Sequence, residues 1–482
     1  MAQDTQTSDG HLSLWDTVSI IIGIVIGAGI YETAPMVFSN VGSPVMALGV
    51  WVLGGALSLI GALCYAELAS TYPRSGGDYV YLSRAFGSWA GFLFGWAQLA
   101  VIMTGSIGMM AYIFANYASQ LWNIGSHSMF FYAFAVVVIL SATNMAGAMF
   151  GKRAQNILTV IKVLGLLGIL FAGFFWAKPE TTVLTTGKLI GGTGSIGLAM
   201  VLVLYTYGGW NDAAYVAAEV KNKRRNIPRA LILGTAALAA IYVLVNWAYL
   251  AAVGFESARN STAIAADVLA QPLGVFGARA MSLLVMVSAL GAVNGLIYTG
   301  ARIYSTLGED FRMFSKLARW NQKRNSPVTS LATQGVITLA MITLVGTQIG
   351  QGTINLFFVT AGATALNFSG YSAFEMLLRC TAPVFWLFFL LTGISLFILR
   401  AKDRNIERPF SVPLYPVLPL VFCATCVYML YSAANYAGKL TWLGAAPLFL
   451  GFVLYLFSTR SLGKVPGQVW APKTQTQGNK IT

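Results

Sequence analysis

Charged residues are scarce in this chain of 482 residues, where aspartate, glutamate, lysine and arginine together make up only 10%. Globular domains carry roughly 25% charged residues, so the scarcity excludes an ordinary water-soluble fold. Hydrophobic residues make up 57% of the chain, and the mean hydropathy is +0.69. Apolar runs recur from end to end, and about 20 apolar residues cross a bilayer as a helix. The sequence therefore predicts an all-α polytopic membrane protein.

Histidine and cysteine are also rare, with two and four residues in the whole chain. Two histidines are too few for a histidine-based metal centre. The cysteines lie in or at the edge of predicted helices, where a cysteine acts as a small buried apolar residue. The GxxxxGK[ST] phosphate loop is missing, which excludes ATP hydrolysis by that motif. We expect no cofactor, no metal and no enzymatic activity.

Twelve apolar segments are long enough to be transmembrane helices. They lie at residues 14–40, 44–70, 86–118, 129–150, 154–177, 192–220, 229–253, 276–307, 329–348, 373–400, 413–436 and 441–459.

The net charge of +14 reflects membrane topology. Of the 30 lysines and arginines, 23 fall in the connections after even-numbered helices and in the C-terminal tail, and five fall on the other side. Positively charged loops stay in the cytoplasm, so we predict a multi-pass protein of the cell (plasma or inner) membrane with both termini cytoplasmic. The basic residues are then explained without a nucleic-acid partner, and the lipid bilayer is the surrounding partner.

Residues 352–372 are almost long enough to span the membrane. If they crossed it, the basic residues after helix 10 would face outward, against the charge bias. We therefore predict an interfacial or re-entrant segment on the outer side.

Two predicted helices are interrupted by glycine. IIGIVIGAGIYETAP in helix 1 contains Gly23, Gly27 and Gly29, and LYTYGGWNDAAY in helix 6 contains Gly208 and Gly209. Each glycine costs a helix about 1 kcal/mol relative to alanine. Close helix packing explains one such segment. Two interruptions at matching places in two halves favour an inverted-repeat transporter, whose broken helices surround a cavity.

Several long motifs resemble the amino acid–polyamine–organocation superfamily. IGAGIY is similar to its GSGIF motif, and YAELASTYPRSGGDYVYL and YTYGGWNDAAYVAAEVKNKRRNIPRAL resemble two further motifs, as do NGLIYTGARI and RPFSVPLYPVLPL. The resemblance covers most of residues 14–460 and is closest to the L-type amino acid transporter branch. It implies a LeuT-type fold and amino acid transport by alternating access.

The implied fold divides the chain into two inverted repeats of five helices, followed by two further helices. The boundaries are 1–13 for the N-terminal tail, 14–177 and 192–400 for the repeats, 413–459 for helices 11 and 12, and 460–482 for the C-terminal tail.

Broken helices suit a zwitterionic amino acid. A half-helix N-terminus offers free N–H groups and a positive dipole end to a carboxylate, and unwound carbonyls suit an ammonium. The resemblance implies a carboxylate site at the N–H groups of Gly27, Ala28 and Gly29. It also implies an amine site at carbonyls near Val25, Tyr205 and Gly208, gating by Tyr205 and Trp210, and a side-chain pocket lined by Asn211.

Three residues depart from the family pattern. Ala28 replaces the serine of GSGIF, and Glu32 and Asp212 stand where family members often have uncharged residues. Either acid is a candidate for attracting a cationic substrate side chain. The alternative is that it faces a water-filled vestibule and has no specific role. The loop 119–128 has no cysteine, so we expect no disulfide-linked accessory subunit.

Lys162 lies deep within predicted helix 5. It follows the last basic residue by nine positions, which is about 14 Å along a helix, and a charge at the bilayer centre costs at least about 2.5 kcal/mol. The resemblance implies that its ammonium replaces a bound sodium ion by reaching the carbonyls near Gly23 and the hydroxyl of Ser288. A second possibility is that Lys162 loads and releases a coupling proton, and a third is that it belongs to a structural pair.

These observations predict a secondary active transporter of neutral L-amino acids, either a sodium-independent exchanger or a proton-coupled carrier. The alternatives are a cationic amino acid or polyamine transporter and, outside the transporter class, a channel. A channel requires a continuous polar lining along several helices, which the sequence does not indicate.

We expect Gly29→Val to fold but to lose stabilisation by substrate, because a side chain would then stand between the Gly29 N–H and a substrate carboxylate. Thermal-shift measurements with the common amino acids and polyamines, on wild type and variant, test this. A variant stabilised as strongly as the wild type would show that the broken helix does not hold the carboxylate.

Overall fold

The computed structural model describes residues 10–27, 29–176, 196–261, 263–360, 362, 364–366, 368 and 371–460. Within this part the chain forms helices and no β-strand, with two isolated bridges. The first helices are α1 (Leu14–Val25), α2 (Gly29–Ser39), α3 (Pro44–Thr71), α4 (Asp78–Phe86), α5 (Ser88–Ala97), α6 (Met103–Leu121), α7 (Ser128–Ala146) and α8 (Ala148–Phe171). The remaining α-helices are α9 (Ile196–Thr206), α10 (Lys223–Val253), α11 (Phe255–Asn260), α12 (Ile264–Asp310), α13 (Val328–Gly346), α14 (Gln348–Thr360), α15 (Ala373–Lys402), α16 (Val417–Ala437) and α17 (Leu440–Arg460).

Four shorter segments interrupt or extend these helices. A π-helical turn, Gln98–Ile102, joins α5 to α6, and a second one, Ala172–Trp176, extends α8. A 3₁₀ helix, Trp210–Glu219, follows α9, and a shorter one, Arg312–Phe314, follows α12.

The all-α polytopic class is confirmed. Among the described residues, ten helices are long and apolar enough to cross a membrane, and the pair α1 and α2, bent by 49°, makes an eleventh span. The remaining predicted span, helix 6, is the succession of α9 and the 3₁₀ helix, neither of which is long enough alone. The total of twelve and the division into two inverted repeats stay predictions.

Some boundaries differ from the predicted ones. The predicted span 276–307 belongs to α12, which begins earlier and kinks at Gly274, where φ is +57°. Short helices α4 and α11 were not predicted. Helix α14 has 13 residues, about 20 Å at 1.5 Å per residue, and is too short for a hydrocarbon core of about 30 Å. Because several residues of 352–372 lie outside the described part, the interfacial or re-entrant placement stays a prediction.

Serine residues begin three of the spanning helices. Ser13 and Asp16 form a reciprocal capping box at the start of α1, and the hydroxyl groups of Ser43 and Ser372 accept backbone N–H groups in the first turns of α3 and α15. Such caps satisfy donors that a helix start leaves without partners. The first helix therefore begins at Leu14, as the sequence predicts.

Most ion pairs cluster on the side of the membrane where α1 begins, which we call the basic side. Five pairs there join distant segments: Lys152–Asp16, Arg74–Asp310, Arg84–Asp403, Arg302–Glu219 and Arg400–Glu67. Burial alone raises the pKa of Asp403, but the Arg84 guanidinium and the Tyr72 hydroxyl outweigh it and hold this pKa below its ordinary value. The loops that carry the charge bias also tie the helices together.

The last residues of the predicted N-terminal tail are packed against helix 6. Leu12 is fully buried, and its backbone exchanges two hydrogen bonds of 2.8 Å with Glu219 and Lys221. The His11 ring lies 3.3 Å from the Glu219 carboxylate. Residues 1–9 lie outside the described part, so only the end of the 1–13 segment is seen to be anchored.

The break in helix 6 is made possible by Gly209. Its φ is +106°, in the left-handed region that side chains disfavour by roughly 1–2 kcal/mol. A Cβ at this position would also lie 2.8 Å from the Ile24 Cγ2 atom of α1. Both its backbone conformation and its contact with helix 1 therefore require glycine.

We expect Gly209→Ala to lower the stability of the protein by about 1–3 kcal/mol because of this strained conformation and the contact with Ile24. Gly168→Ala is the matched control, since Gly168 lies within α8 with open space around it and alanine favours a helix by about 1 kcal/mol. Thermal melting of both purified variants in detergent measures the difference. Equal melting of Gly209→Ala and wild type would contradict this account.

Candidate functional site

The two broken helices meet near the middle of the molecule. Gly209 of the helix 6 break contacts Ile24 of helix 1, and a Cβ at Gly29 would lie 3.3 Å from the Thr206 Cγ2 atom. The hydroxyl groups of Thr33 in α2 and Thr206 in α9 lie 2.8 Å apart and join these two half-helices. Each interruption therefore abuts the other helix.

A cavity of about 130 Å³ opens at this meeting point. An engineered cavity of about 150 Å³ holds a benzene molecule, so the space suits a small or medium-sized organic molecule. Six of the predicted site residues line it: Val25, Gly27, Gly29, Tyr205, Gly208 and Asp212. Ala28 lies outside the described residues.

The remaining walls come from helices α6, α12 and α15 and from the π-helical turn Gln98–Ile102. Apolar side chains predominate and include Met103, Met109, Leu296, Phe385 and Trp386. Polar groups are few and include Gln98, Ser106 and Thr381. A mostly apolar cavity with a few polar groups is typical of small-molecule sites.

The carbonyl group of Val25 is not free to receive a substrate amine. It accepts a hydrogen bond of 2.7 Å from the Tyr242 hydroxyl and one of 2.6 Å from the Gly27 N–H. A carbonyl oxygen has two lone pairs, and both are used. The Gly27 N–H, predicted to hold the carboxylate, is engaged in the same tight turn. The sequence indicated the break but not the donor from α10 that satisfies it.

The carbonyl of Tyr205 keeps one acceptor position, since its one backbone partner is the Gly208 N–H at 3.0 Å. The Tyr205 ring lies at the cavity, with its hydroxyl 3.4 Å from the sulfur of Met109 and its ring 6.4 Å from that of Phe374. Amine binding near Tyr205 and Gly208 and gating by Tyr205 stay predictions.

Trp210 does not line this cavity. The indole is 3% exposed and packs edge-on against Tyr65, at 5.2 Å between ring centroids, and against Phe389 at 5.5 Å. It belongs to an aromatic cluster with these two rings, and its gating role stays a prediction.

Asn211 also differs from its predicted place, because the segment is a 3₁₀ helix. Residues three apart lie on one face of such a helix, and Asp212 and Tyr215 together face the cavity. Asn211 is 1% exposed and lies behind them, donating its amide N–H groups to the Asp212 carboxylate at 3.2 Å and the Tyr215 hydroxyl at 3.1 Å.

Glu32 lies in the first turn of α2 and is not among the residues that line the cavity. An acidic residue there favours the helix start through the helix dipole. Its carboxylate interacts electrostatically with Tyr117 and Tyr205. Of the two acidic specificity candidates, only Asp212 therefore faces the cavity.

Lys162 links helix 1 to α12. Its side chain is fully buried, and its ammonium donates a hydrogen bond of 2.6 Å to the Gly23 carbonyl. A Cβ at Gly291 would lie 2.7 Å from the same nitrogen. Among the described residues no carboxylate forms an ion pair with Lys162. The hydroxyl of Ser288, predicted as a second contact, lies 3.3 Å from the Tyr31 hydroxyl instead.

A buried amide network beside Gly23 was missed from the sequence. The Asn294 amide donates to the Gln155 side chain at 2.9 Å and to the Gly151 carbonyl at 3.1 Å, and it accepts from Asn144 at 2.9 Å. Polar side chains within otherwise apolar spans face a bundle interior. That rule, applied to these three side chains, would have indicated the network.

The chain matches a protein-family model described as amino acid permease over residues 12–455. It is similar to the large neutral amino acids transporter small subunit 2 of Mus musculus, with 30% identity over 92% of this chain and 80% of the relative. It resembles the human b(0,+)-type amino acid transporter 1 at 28% identity, covering 91% and 85%. The serine/threonine exchanger SteT of Bacillus subtilis is 26% identical, with coverage of 88% and 90%.

We expect Lys162→Met to slow transport strongly while lowering thermal stability little, because methionine fills similar space but cannot bind the Gly23 carbonyl. Lys162→Ala tests the same contact with less packing. Exposed Lys323 supplies the control variant Lys323→Ala. Initial uptake rates in proteoliposomes and melting temperatures are compared for all four proteins. Transport by Lys162→Met within about twofold of wild type, a difference of about 0.4 kcal/mol, would remove this contact from the mechanism.

Proposed function

The chain belongs to the amino acid permease family, in the L-type branch of the amino acid–polyamine–organocation superfamily, and we propose that it carries neutral L-amino acids without sodium. Amino acid transport itself follows from the family and from the relatives. The preference for neutral substrates, the sodium independence and the mode of coupling form the proposal.

The single observation that carries this proposal is the cavity at the crossing of two broken helices. Backbone from both breaks lines it, and free backbone groups at helix ends recognise the charged part common to all amino acids. Side chains such as Met109, Leu204 and Phe385 form much of the remaining wall, which suits an uncharged substrate side chain.

The position of Lys162 supports sodium independence. Its side-chain nitrogen lies against Gly23 of helix 1 and Gly291 of α12. It supplies the link between these helices that an ion provides in sodium-coupled relatives of the fold. The carrier then works by exchange or by coupling to protons.

Asp212 favours a second candidate function. Its carboxylate lines the cavity and forms no ion pair within the described part of the chain, so a cationic amino acid or polyamine would find a counter-charge there. We place this candidate second because a carboxylate 5% exposed is also compatible with a neutral, protonated acid.

The proposal includes the orientation and partners of the chain. The excess of basic residues on the side where α1 begins supports cytoplasmic termini in a cell membrane. Residues 119–128, between helices 3 and 4, contain no cysteine, which supports a carrier without a disulfide-linked accessory subunit.

We expect purified protein in liposomes preloaded with a neutral L-amino acid to take up labelled amino acid faster than empty liposomes, with the same rate in sodium and potassium buffers. Counterflow of this kind requires a carrier that alternates its access, so it also excludes a channel. Each common L-amino acid and polyamine is tested as a competitor. Competition by lysine or putrescine alone would favour the cationic candidate, and no competition by any compound would contradict the proposal.

A further inference from the structure

We propose that Asp212 is the proton-binding site of this carrier and exchanges a proton with water as the cavity changes its access. The inference rests on the proposed function and chooses proton coupling over simple exchange. It assigns the coupling proton to the 3₁₀ half of helix 6.

Asp212 is a buried acid that faces the cavity. It is 5% exposed and lines the wall. The one hydrogen bond to its carboxylate among the described residues comes from the Asn211 amide at 3.2 Å, and the carboxylate forms no ion pair there. An ionised carboxylate is expensive to bury without a paired charge or several donors, so such a group takes up a proton.

A second buried acid lies behind Asp212. Asp78 of α4 is 2% exposed, receives a hydrogen bond from Tyr65, and is also faced by the hydroxyl groups of Tyr215 and Thr392. Burial raises the pKa of Asp78, while these hydroxyl groups oppose the rise by stabilising the charged carboxylate. Its negative charge acts on Asp212.

Neighbouring carboxylates disfavour a second negative charge. Three hydroxyl groups face Asp78, whereas one amide N–H serves Asp212. Asp78 therefore keeps the charge and Asp212 takes the proton. Asn211 lies between the two acids, because its amide donates both to Asp212 and to Tyr215, which faces Asp78.

Two unpartnered acceptors, one on the cavity wall and one on the residue that donates to Asp212, point independently to a missing donor. The Oε1 atom of Gln98 is buried without a hydrogen-bond partner in the described part of the chain, and Gln98 lines the same cavity at 2% exposure. The Oδ1 atom of Asn211 is also buried without a hydrogen-bond partner among the described residues. Buried acceptors normally have donors, and a protonated carboxyl group offers the donor that an ionised one lacks.

The other titratable groups near Asp212 do not supply a positive charge that would neutralise its carboxylate. Tyr215 shares its 3₁₀ helix, and Tyr304 of α12 interacts with it while donating its hydroxyl to the Gln98 carbonyl at 3.2 Å. Tyr65 of α3 contacts Asp78. Lysine, arginine and histidine contribute no charge interaction to Asp212 within the described residues. The negative charge of Asp212 is therefore neutralised only by a proton or another cation that enters the cavity.

The step is a reversible protonation. Water on the side to which the cavity opens supplies a proton to one carboxylate oxygen of Asp212, which becomes neutral and donates to a neighbouring acceptor. When the cavity opens to the other side, water hydrates the carboxyl group and accepts the proton, and the carboxylate is restored. Lower pH outside then favours entry of the proton together with the amino acid.

The test uses the full chain in liposomes that contain the pH-sensitive dye pyranine, with the membrane potential clamped at zero by valinomycin and potassium. A mixture of neutral L-amino acids is added outside. We expect the lumen to acidify with the wild type and not with Asp212→Asn, because asparagine resembles the protonated acid but does not titrate. Melting temperatures of both proteins show whether Asp212→Asn is folded. Asp267→Asn, at an exposed position of α12, should acidify the lumen like the wild type.

Two results would overturn the assignment: wild-type counterflow without acidification, or acidification by Asp212→Asn at the wild-type rate. Complete absence of wild-type counterflow would instead refute the proposed function. Infrared difference spectra during a pH titration then decide about Asp212 independently. A protonated-carboxyl band present in wild type at neutral pH and lost in Asp212→Asn supports the site, and identical bands contradict it. Asp212→Ser removes the same group if the asparagine variant fails to fold.

Discussion

The structure depends on satisfying the backbone groups that the break in helix 1 sets free. Non-helical backbone inside a membrane survives only where protein or water pairs with it, since each unpaired group costs several kcal/mol. The Gly23 carbonyl is paired by the Lys162 ammonium, and the Val25 carbonyl by the Tyr242 hydroxyl and the Gly27 N–H. Donors from α8 and α10 thus hold helix 1 open, and glycine at the adjoining positions lets these helices approach closely enough to reach it.

The same constraint places the cavity and makes one of its walls chemically different from the others. Gly209 and Gly29 bring the broken helices into contact, and the cavity lies beside that contact with backbone on one wall and mostly apolar side chains on the others. Its polar groups include Gln98 in the π-helical turn and Asp212 in the 3₁₀ helix. Departures from regular α-helix therefore supply Gln98 and Asp212, while α6 and α15 add Ser106 and Thr381 to a mostly apolar wall.

Charged side chains lie in two regions of the molecule, the basic side and the interior of the bundle. On the basic side, pairs such as Arg302–Glu219 and Arg400–Glu67 join helices that are far apart in sequence, and they lie where helices end and water is near. Within the bundle, Lys162 and Asp212 stand without an ion-pair partner among the described residues. A buried single charge is costly, which favours a protonated Asp212 and the hydrogen bond from Lys162 to the Gly23 carbonyl.

The sequence by itself determined the class of the fold and the location of the site. Apolar runs, loop charges and paired glycine interruptions are local properties of the chain, and they were sufficient to predict helix 1 and helix 6 as the broken elements and Lys162 as a deep charge. Only the tertiary structure decided which group meets which. Trp210 and Asn211 turned away from the cavity because the segment winds as a 3₁₀ helix, with three residues per turn in place of 3.6. The Val25 carbonyl and the Ser288 hydroxyl found other partners because Tyr242 and Tyr31 reach them. Side-chain direction depends on local winding, and hydrogen-bond partners come from segments distant in sequence, so neither is encoded in a motif.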